Sequence, residues 1–283
     1  MNSSYYSSLL ILVLALGIGA FFLYFLYLKY KRHQMQKYAE LPFPQAYSDI
    51  LKNIPLYKQL DTKEKEEIAH SILIFINTKD FIGVSIELTD EIKVVVAFHA
   101  CLLLLHLDIS ECYENLSTII IYPYTVIFNR VNNNGGIYTK GEFLLEGQSS
   151  RDTVVLSWSD AKKDAYHLHR NNVIIHEFAH EIDFLDGISD GTPPMPYSKY
   201  HEWAQILSHD FNRLQEISLK NRNWGKYKLI GAYAATNEAE FFAVVTERYF
   251  ENPEGLKKHF PKLYDELEDF YKIHTKDKLY KSY

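Results

Sequence analysis

Residues 9–28 form an apolar run of twenty residues without a charge. That run limits the fold more than any other stretch. About 20 apolar residues match the roughly 30 Å hydrocarbon core of a bilayer, and only a helix satisfies its own backbone there. Tyr5 and Tyr6 precede the run, and Tyr27 and Tyr30 stand at its far end, where interfacial aromatics belong. Lys29, Lys31, Arg32 and Lys37 follow it, and no Lys or Arg precedes it. By the positive-inside rule the C-terminal body then faces the cytoplasm. A cleaved signal peptide needs a basic start and small residues after the apolar core. Here residues 1–8 lack Lys and Arg, and Ala15, Gly17 and Gly19 lie inside the run. The expectation is a short tail (1–8), a retained single-pass transmembrane helix (9–28) in the inner or cytoplasmic membrane, a basic juxtamembrane linker (29–47) and one domain (48–283).

The body is acidic. Lys29, Lys31, Arg32 and Lys37 against Glu40 leave the first forty residues at +3, so the rest carries −9 of the total −6. Such a body is a poor partner for nucleic acid, which needs a basic face. The chain has 283 residues, 47% of them hydrophobic, enough for a sizeable core. The two cysteines, Cys101 and Cys112, read as reduced buried thiols, and no Cys-x-x-Cys is present.

Hydrophobic periodicity sketches an α+β body. A helix is expected over 62–77, with Lys63-Glu64-Lys65-Glu66-Glu67 as a solvated end. A second follows the cap Thr89, with Asp90 and Glu91 in its first turn, and is apolar nearly all round. Strands are expected at 118–122, 125–128 and 153–158, a loop at 132–136, and helices at 201–219, 237–250 and 261–273.

The chemistry lies in His176-Glu177-Phe178-Ala179-His180. Histidines four apart on a helix point the same way, so both imidazoles can reach one metal ion. The glutamate beside the first then lies next to the metal's open position and can take a proton from bound water. The helix begins near Asn171 or Asn172 and ends at Gly187. Val173, Ile174, Ile175, Phe178, Ile182 and Leu185 surround the pair, unlike a chance match on an exposed helix.

Catalytic zinc usually has three protein ligands. A third histidine ten residues after the first is absent, since Asp186 stands there, and Asp183 replaces the glycine such a turn needs. The other common solution is a glutamate from a later helix. Glu238, Glu240 and Glu247 lie in the 237–250 segment, among Phe241, Phe242, Val244 and Val245. An unpaired buried carboxylate is costly and a metal-bound one is not, so Glu240 is the expected ligand. Glu247 is either a partner of a ligand or an ordinary ion-pair residue. Glu238 reads as a first-turn dipole partner. His167 and His169 read as surface residues, His99 and His106 as satisfied core histidines.

Three separated motifs in order carry a resemblance: Thr-Val-Val-Leu-Ser-Trp at 153–158, Asn-Val-Ile-Ile-His-Glu-Phe-Ala-His at 172–180 with Asp183, and Tyr-Ala-Ala-Thr-Asn-Glu-Ala-Glu-Phe-Phe-Ala at 233–243. Together with 100–107, 118–123 and 261–271, they resemble the Mlc titration factor A family of zinc metallopeptidases over about residues 60–273. The resemblance implies a zincin-like, specifically gluzincin-like, domain with a small mixed sheet and a helical bundle, related to the catalytic domain of anthrax lethal factor. It implies Zn2+ held by His176, His180 and Glu240, Glu177 as base, and Tyr233 as the tyrosine that stabilises the oxyanion. Two segments depart from the family pattern: 146–149 reads Glu-Gly-Gln-Ser where Gly-Glu-x-Trp is expected, and a proline near Glu238 is missing. Family members are usually soluble, so the anchor is a further departure.

The expected function is a membrane-anchored zinc metallopeptidase, with aminopeptidase action as one form. It would hydrolyse peptide or protein substrates by water activated on zinc by Glu177. Strand 153–158 would bind substrate backbone by strand addition. The alternative is a non-catalytic module with structural zinc that sequesters a transcriptional regulator. A zinc enzyme acting on a non-peptide amide is a third reading.

Overall fold

The computed structural model describes residues 3–107, 113–124, 152–168 and 171–275. The chain divides after Pro42 into two units. The first is dominated by one helix, α1 (Ser3–Ala39), which runs on through the basic residues, so that 29–39 are helical rather than an irregular linker. From Leu10 to Ala39 it is long and apolar enough to cross a membrane. Leu10, Leu14, Ile18, Phe21 and Leu23 are all exposed, on more than one side of the helix. A helix without a polar face needs an apolar surrounding all round it.

In the second unit, proline opens helix after helix: α2 (Gln45–Leu51) follows Pro44, and α3 (Pro55–Lys58) starts on one. At the first helical position the missing N–H costs nothing and the fixed φ is already helical. Helix α4 (Thr62–Thr78) starts instead with a reciprocal cap. Asp61 accepts from the Glu64 N–H, and Glu64 accepts from the Asp61 N–H, both at 2.9 Å. Glu64 is therefore buried, not part of a solvated end, and its other oxygen meets His106 Nε2 at 3.0 Å.

Strand β1 (Asp80–Gly83) was not legible from periodicity. It is followed by α5 (Asp90–Leu104), capped by Thr89 and buried nearly all round. Strands β2 (Thr118–Tyr122) and β3 (Thr153–Ser157) complete a three-stranded sheet in the order β1-β2-β3. The expected sheet was mixed, but its described strands all run parallel, with Ile119 opposite Phe81 on one side and Val154 on the other. Ile119, Ile121, Val154 and Leu156 turn inward in period two. The expected strand at 125–128 and loop at 132–136 lie outside the described residues, as do Cys112 and His169. Cys101 is buried.

The remaining helices are α6 (Trp158–Ala165), α7 (Val173–Asp183), α8 (Tyr197–Lys220), α9 (Glu238–Glu251), α10 (Pro253–His259) and α11 (Pro261–Tyr271). Helix α7 lies at the centre, packed on α5, α6, α9 and β3. Phe178 of α7 meets Phe75 and Tyr113 edge-on, with ring centroids 5.7 and 4.9 Å away. Behind α9, Trp203 packs on Phe242 and Phe270 at 5.8 and 5.4 Å. Aromatic pairs of this kind add about 0.5–1.5 kcal/mol each beyond area burial. They anchor α7 and α9 separately to the surrounding core, while α7 and α9 pack directly on each other and together carry the site.

Candidate metal centre

Both helices that build the site start on asparagine. Asn172 Oδ1 accepts from the Ile175 N–H at 3.1 Å and starts α7. Asn237 Oδ1 accepts from the Glu240 N–H at 2.8 Å and starts α9. Each cap satisfies a helix N–H that would otherwise lack a partner, and each fixes where the first turn points. The apolar stripe Ile174, Ile175, Phe178 and Ile182 of α7 is buried, which turns His176, Glu177 and His180 toward a cleft. Buried Phe241, Phe242, Val244 and Val245 surround the carboxylates of α9.

Across this interface the donors converge. His176 Nε2 lies 3.3 Å from His180 Nε2 and 3.1 Å from Glu240 Oε2, and His180 Nε2 lies 3.4 Å from Glu240 Oε1. One nitrogen from each histidine and a carboxylate oxygen of Glu240 all lie within 4.8 Å of one another. A tetrahedral site with bonds of about 2.0–2.1 Å has ligand-to-ligand edges of about 3.3–3.4 Å. The 3.3 Å between the two imidazole nitrogens matches such an edge, each nitrogen has a Glu240 oxygen within 3.4 Å, and two imidazoles with one carboxylate form a donor set suited to a borderline-soft dication. The residues fit a metal ion.

A further carboxylate shapes the centre. Glu247 Oε1 is 2.7 Å from His176 Nδ1, and its Oε2 accepts from the Asn172 N–H at 2.9 Å. An acceptor on Nδ1 keeps the proton there and leaves the Nε2 lone pair for a metal. Of the two readings of Glu247, the geometry is that of a hydrogen-bond partner to His176. Glu238 is exposed in the first turn of α9.

Electrostatics follow burial. Burial opposes a charged His176, but its bonds to Glu240 and Glu247, with the charges of Glu247 and Glu177, push its pKa up to about 10. Burial also raises the Glu177 carboxyl, against the pull of both histidines. Tyr233 lies in a short 3-10 turn (Tyr233–Ala235), its ring centroid 5.9 Å from that of His176, and is 39% exposed. It lines the cleft, as does Glu177. The cleft of about 1020 Å³ also takes in Val155 and Ser157 of β3, Asp190 and Arg248.

Asp183 was left without a role by its spacing. It is fully buried, and its Oδ2 accepts from Ser189 Oγ at 3.1 Å and from the Gly191 N–H at 2.9 Å. Gly191 has φ +78°, accepts from Trp203 Nε1 at 3.1 Å, and lies so close that a Cβ on it would come within 2.5 Å of the Glu238 carbonyl oxygen. This clamp sets the cleft rim at Ser189 and Asp190. Gly191 stands in a proline-rich stretch, but a lone glycine carries no signal of its partners. The cross-helix bonds of Asn172 to Glu247 and Glu251 were equally hidden, although Asn172 and Asn237 both stand where a helix start is expected. His167 is exposed, and His99 is buried, its Nδ1 2.8 Å from the Val95 carbonyl oxygen. His106, expected in the core, is only partly buried against Glu64.

Known proteins share this sequence pattern. A family model described as glucose-regulated metallo-peptidase M90 matches residues 28–272. An uncharacterized protein of Synechocystis sp. is 33% identical over 240 residues, covering 81% of this chain and 84% of its own length. Mlc titration factor A of Serratia proteamaculans is 31% identical over 224 residues, 77% of this chain and 84% of its own. Mlc titration factor A of Edwardsiella ictaluri is 30% identical over 246 residues, 85% and 90%. A match over most of the chain, with the His-Glu-Phe-Ala-His helix and the Glu240 helix inside it, places the protein in the glucose-regulated metallo-peptidase family M90, together with the Mlc titration factor A proteins.

Proposed function

We propose that the chain is a membrane-anchored zinc peptidase in which His176, His180 and Glu240 hold the metal, Glu177 is the general base and Tyr233 stabilises the oxyanion. The observation that carries this reading is the convergence of the three donors beside Glu177 on the wall of an open cleft. When bound, zinc polarises the scissile carbonyl and makes water acidic enough to deprotonate near neutral pH. Glu177 takes that proton from the attacking water and hands it to the departing amine. A carboxyl raised by burial sits closer to the working pH and so serves both steps. The Tyr233 hydroxyl donates to the oxygen that becomes charged in the transition state. The outer edge of β3 faces the cleft and, among the described residues, has no strand beside it, so substrate backbone can pair there.

Helix α1 holds the domain at the cytoplasmic face of the inner membrane, a reading supported by its length and by Lys29, Lys31, Arg32 and Lys37 after the apolar run. Aminopeptidase action is the form that an acidic cleft rim with Asp190 and Glu238 favours, since it attracts a free amino terminus. The name of the relatives supports a second reading, retention of a transcriptional regulator. The test is Glu177→Gln in the full chain, assayed on a peptide library with bound metal measured in parallel. Retained metal with hydrolysis abolished is the expected result. Full hydrolysis overturns the base assignment. Partner capture untouched by the substitution, with no hydrolysis in the wild type, selects the second reading.

A further inference from the structure

Three carboxylates of α9 face α7: Glu240, Glu247 and Glu251, spaced seven and then four apart on one side of the helix. All three are buried. The first stands at the metal donors and the second at His176 Nδ1. The third meets Asn172, whose Nδ2–H donates to Glu251 Oε1 at 2.8 Å. The Asn172 backbone N–H also donates to Glu247 Oε2 at 2.9 Å, and its Oδ1 accepts from the Ile175 N–H at 3.1 Å. Asn172 is itself fully buried.

We propose that Asn172 is a positioning residue for the metal centre, setting the His176 ring through Glu247 while Glu251 holds its side chain. This rests on the reading of His176 as a metal ligand. The physical reason is reach. The Glu247 carboxylate bridges two groups with its two oxygens, the His176 imidazole and the Asn172 amide. The amide is a main-chain group, so its place follows from the cap geometry. That geometry is held at both ends of the asparagine side chain: Oδ1 on α7 and Nδ2 on α9. An imidazole donor misplaced by a fraction of an ångström binds its metal less well, and loss of outer hydrogen-bond partners typically weakens metal affinity 10–100-fold. Helix capping alone would be served by serine, threonine or aspartate. Aspartate has no donor for Glu251, and serine or threonine would have to cap and donate through one and the same oxygen.

The test uses the full chain in detergent, with zinc affinity read by competition against a chromophoric chelator and stability by thermal melting of the metal-free protein. Asn172→Asp keeps the cap but sets a carboxylate against Glu251, and affinity should fall at least tenfold. Asn172→Asp with Glu251→Gln reverses donor and acceptor and should return affinity to within about threefold of wild type. Glu251→Met leaves the cap untouched and removes the acceptor, so it tests the same link should Asn172→Asp not fold. It too should lose about tenfold. The visible spectrum of the cobalt-substituted protein should shift in both weakened variants, reporting altered ligand geometry. Wild-type affinity in a folded Asn172→Asp or Glu251→Met protein overturns the inference, even if its metal-free melting point drops, because that pattern marks a purely structural role. Failure of the swapped pair to recover overturns it too. A wild-type chain that binds zinc without hydrolysing peptides defeats the peptidase reading and leaves this inference standing. A wild-type chain that binds no divalent metal defeats both.

Discussion

The Glu240 carboxylate spans both imidazoles, with Oε2 at 3.1 Å from His176 Nε2 and Oε1 at 3.4 Å from His180 Nε2. A single side chain from α9 thus closes a pair preset by the pitch of α7. Replacing it with glutamine removes the charge while nearly keeping the shape. Zinc affinity of Glu240→Gln should drop by more than roughly 100-fold, beyond the effect of losing an outer partner. Equilibrium competition with a chelator measures it, and wild-type affinity would rule Glu240 out as a ligand.

Burying Glu240, Glu247 and Glu251 together is tolerable when a dication shares the site. Metal binding should therefore stabilise the folded chain. At free zinc of about 100 times its dissociation constant, linkage predicts roughly 2.7 kcal/mol. For a unit of this size that is about 5–10 °C in melting temperature. Melting curves of the full chain with and without chelator decide this, and coincident curves would refute it.

Gly191 is held between Asp183, Trp203 and the Glu238 backbone at a φ of +78°. Gly191→Ala meets both a strained backbone and a main-chain oxygen that cannot swing away, and should cost about 1–3 kcal/mol. Trp203→Phe removes the indole N–H and leaves the Gly191 carbonyl without that donor, at about 1–3 kcal/mol. Denaturant unfolding of each variant checks the values. A Gly191→Ala protein as stable as wild type would show that the clamp does not constrain the rim.

Asp164 accepts from the Val173 N–H at 3.2 Å, and burial pushes its pKa up to about 6, against the pull of that bond, with Glu247 and Asp160 adding to the rise. The folded chain therefore holds this proton more tightly than the unfolded chain, whose carboxyl titrates near the ordinary value of 3.8. Its contribution is full below about pH 4 and declines as pH rises to about 6. Asp164→Asn keeps an acceptor for Val173 and should flatten the slope of stability against pH in that window. Measuring the metal-free chain keeps ligand titration out of the comparison. An unchanged slope would show that Asp164 does not carry it.

Much of the fold was legible because local physics wrote it. Thr89 before an apolar helix, Gly187 after the His176 helix and alternation at 118–122 and 153–157 each reflect interactions within a few residues. Strand β1 was not legible: four residues, only two of them apolar, show little alternation, and its pairing with β2 supplies what its sequence lacks. Glu64 was misread for the same reason. A lysine- and glutamate-rich turn looks solvated until Asp61 and His106 are seen to bury one member of it.

The sequence by itself determined the spacing of His176 and His180, because 3.6 residues per turn makes their common direction a local property. It also determined the twenty-residue apolar length of residues 9–28, since the lack of charge needs no partner to be read. The burial pattern also singled out Glu240 as the expected third donor. Only the tertiary structure decided that Glu247 bonds His176 and that Asn172 ties the two helices together. Those choices depend on the rotation of α9 against α7, and that rotation is set by Phe241, Phe242, Val244 and Val245 packing into the core, over sequence separations that no local pattern spans.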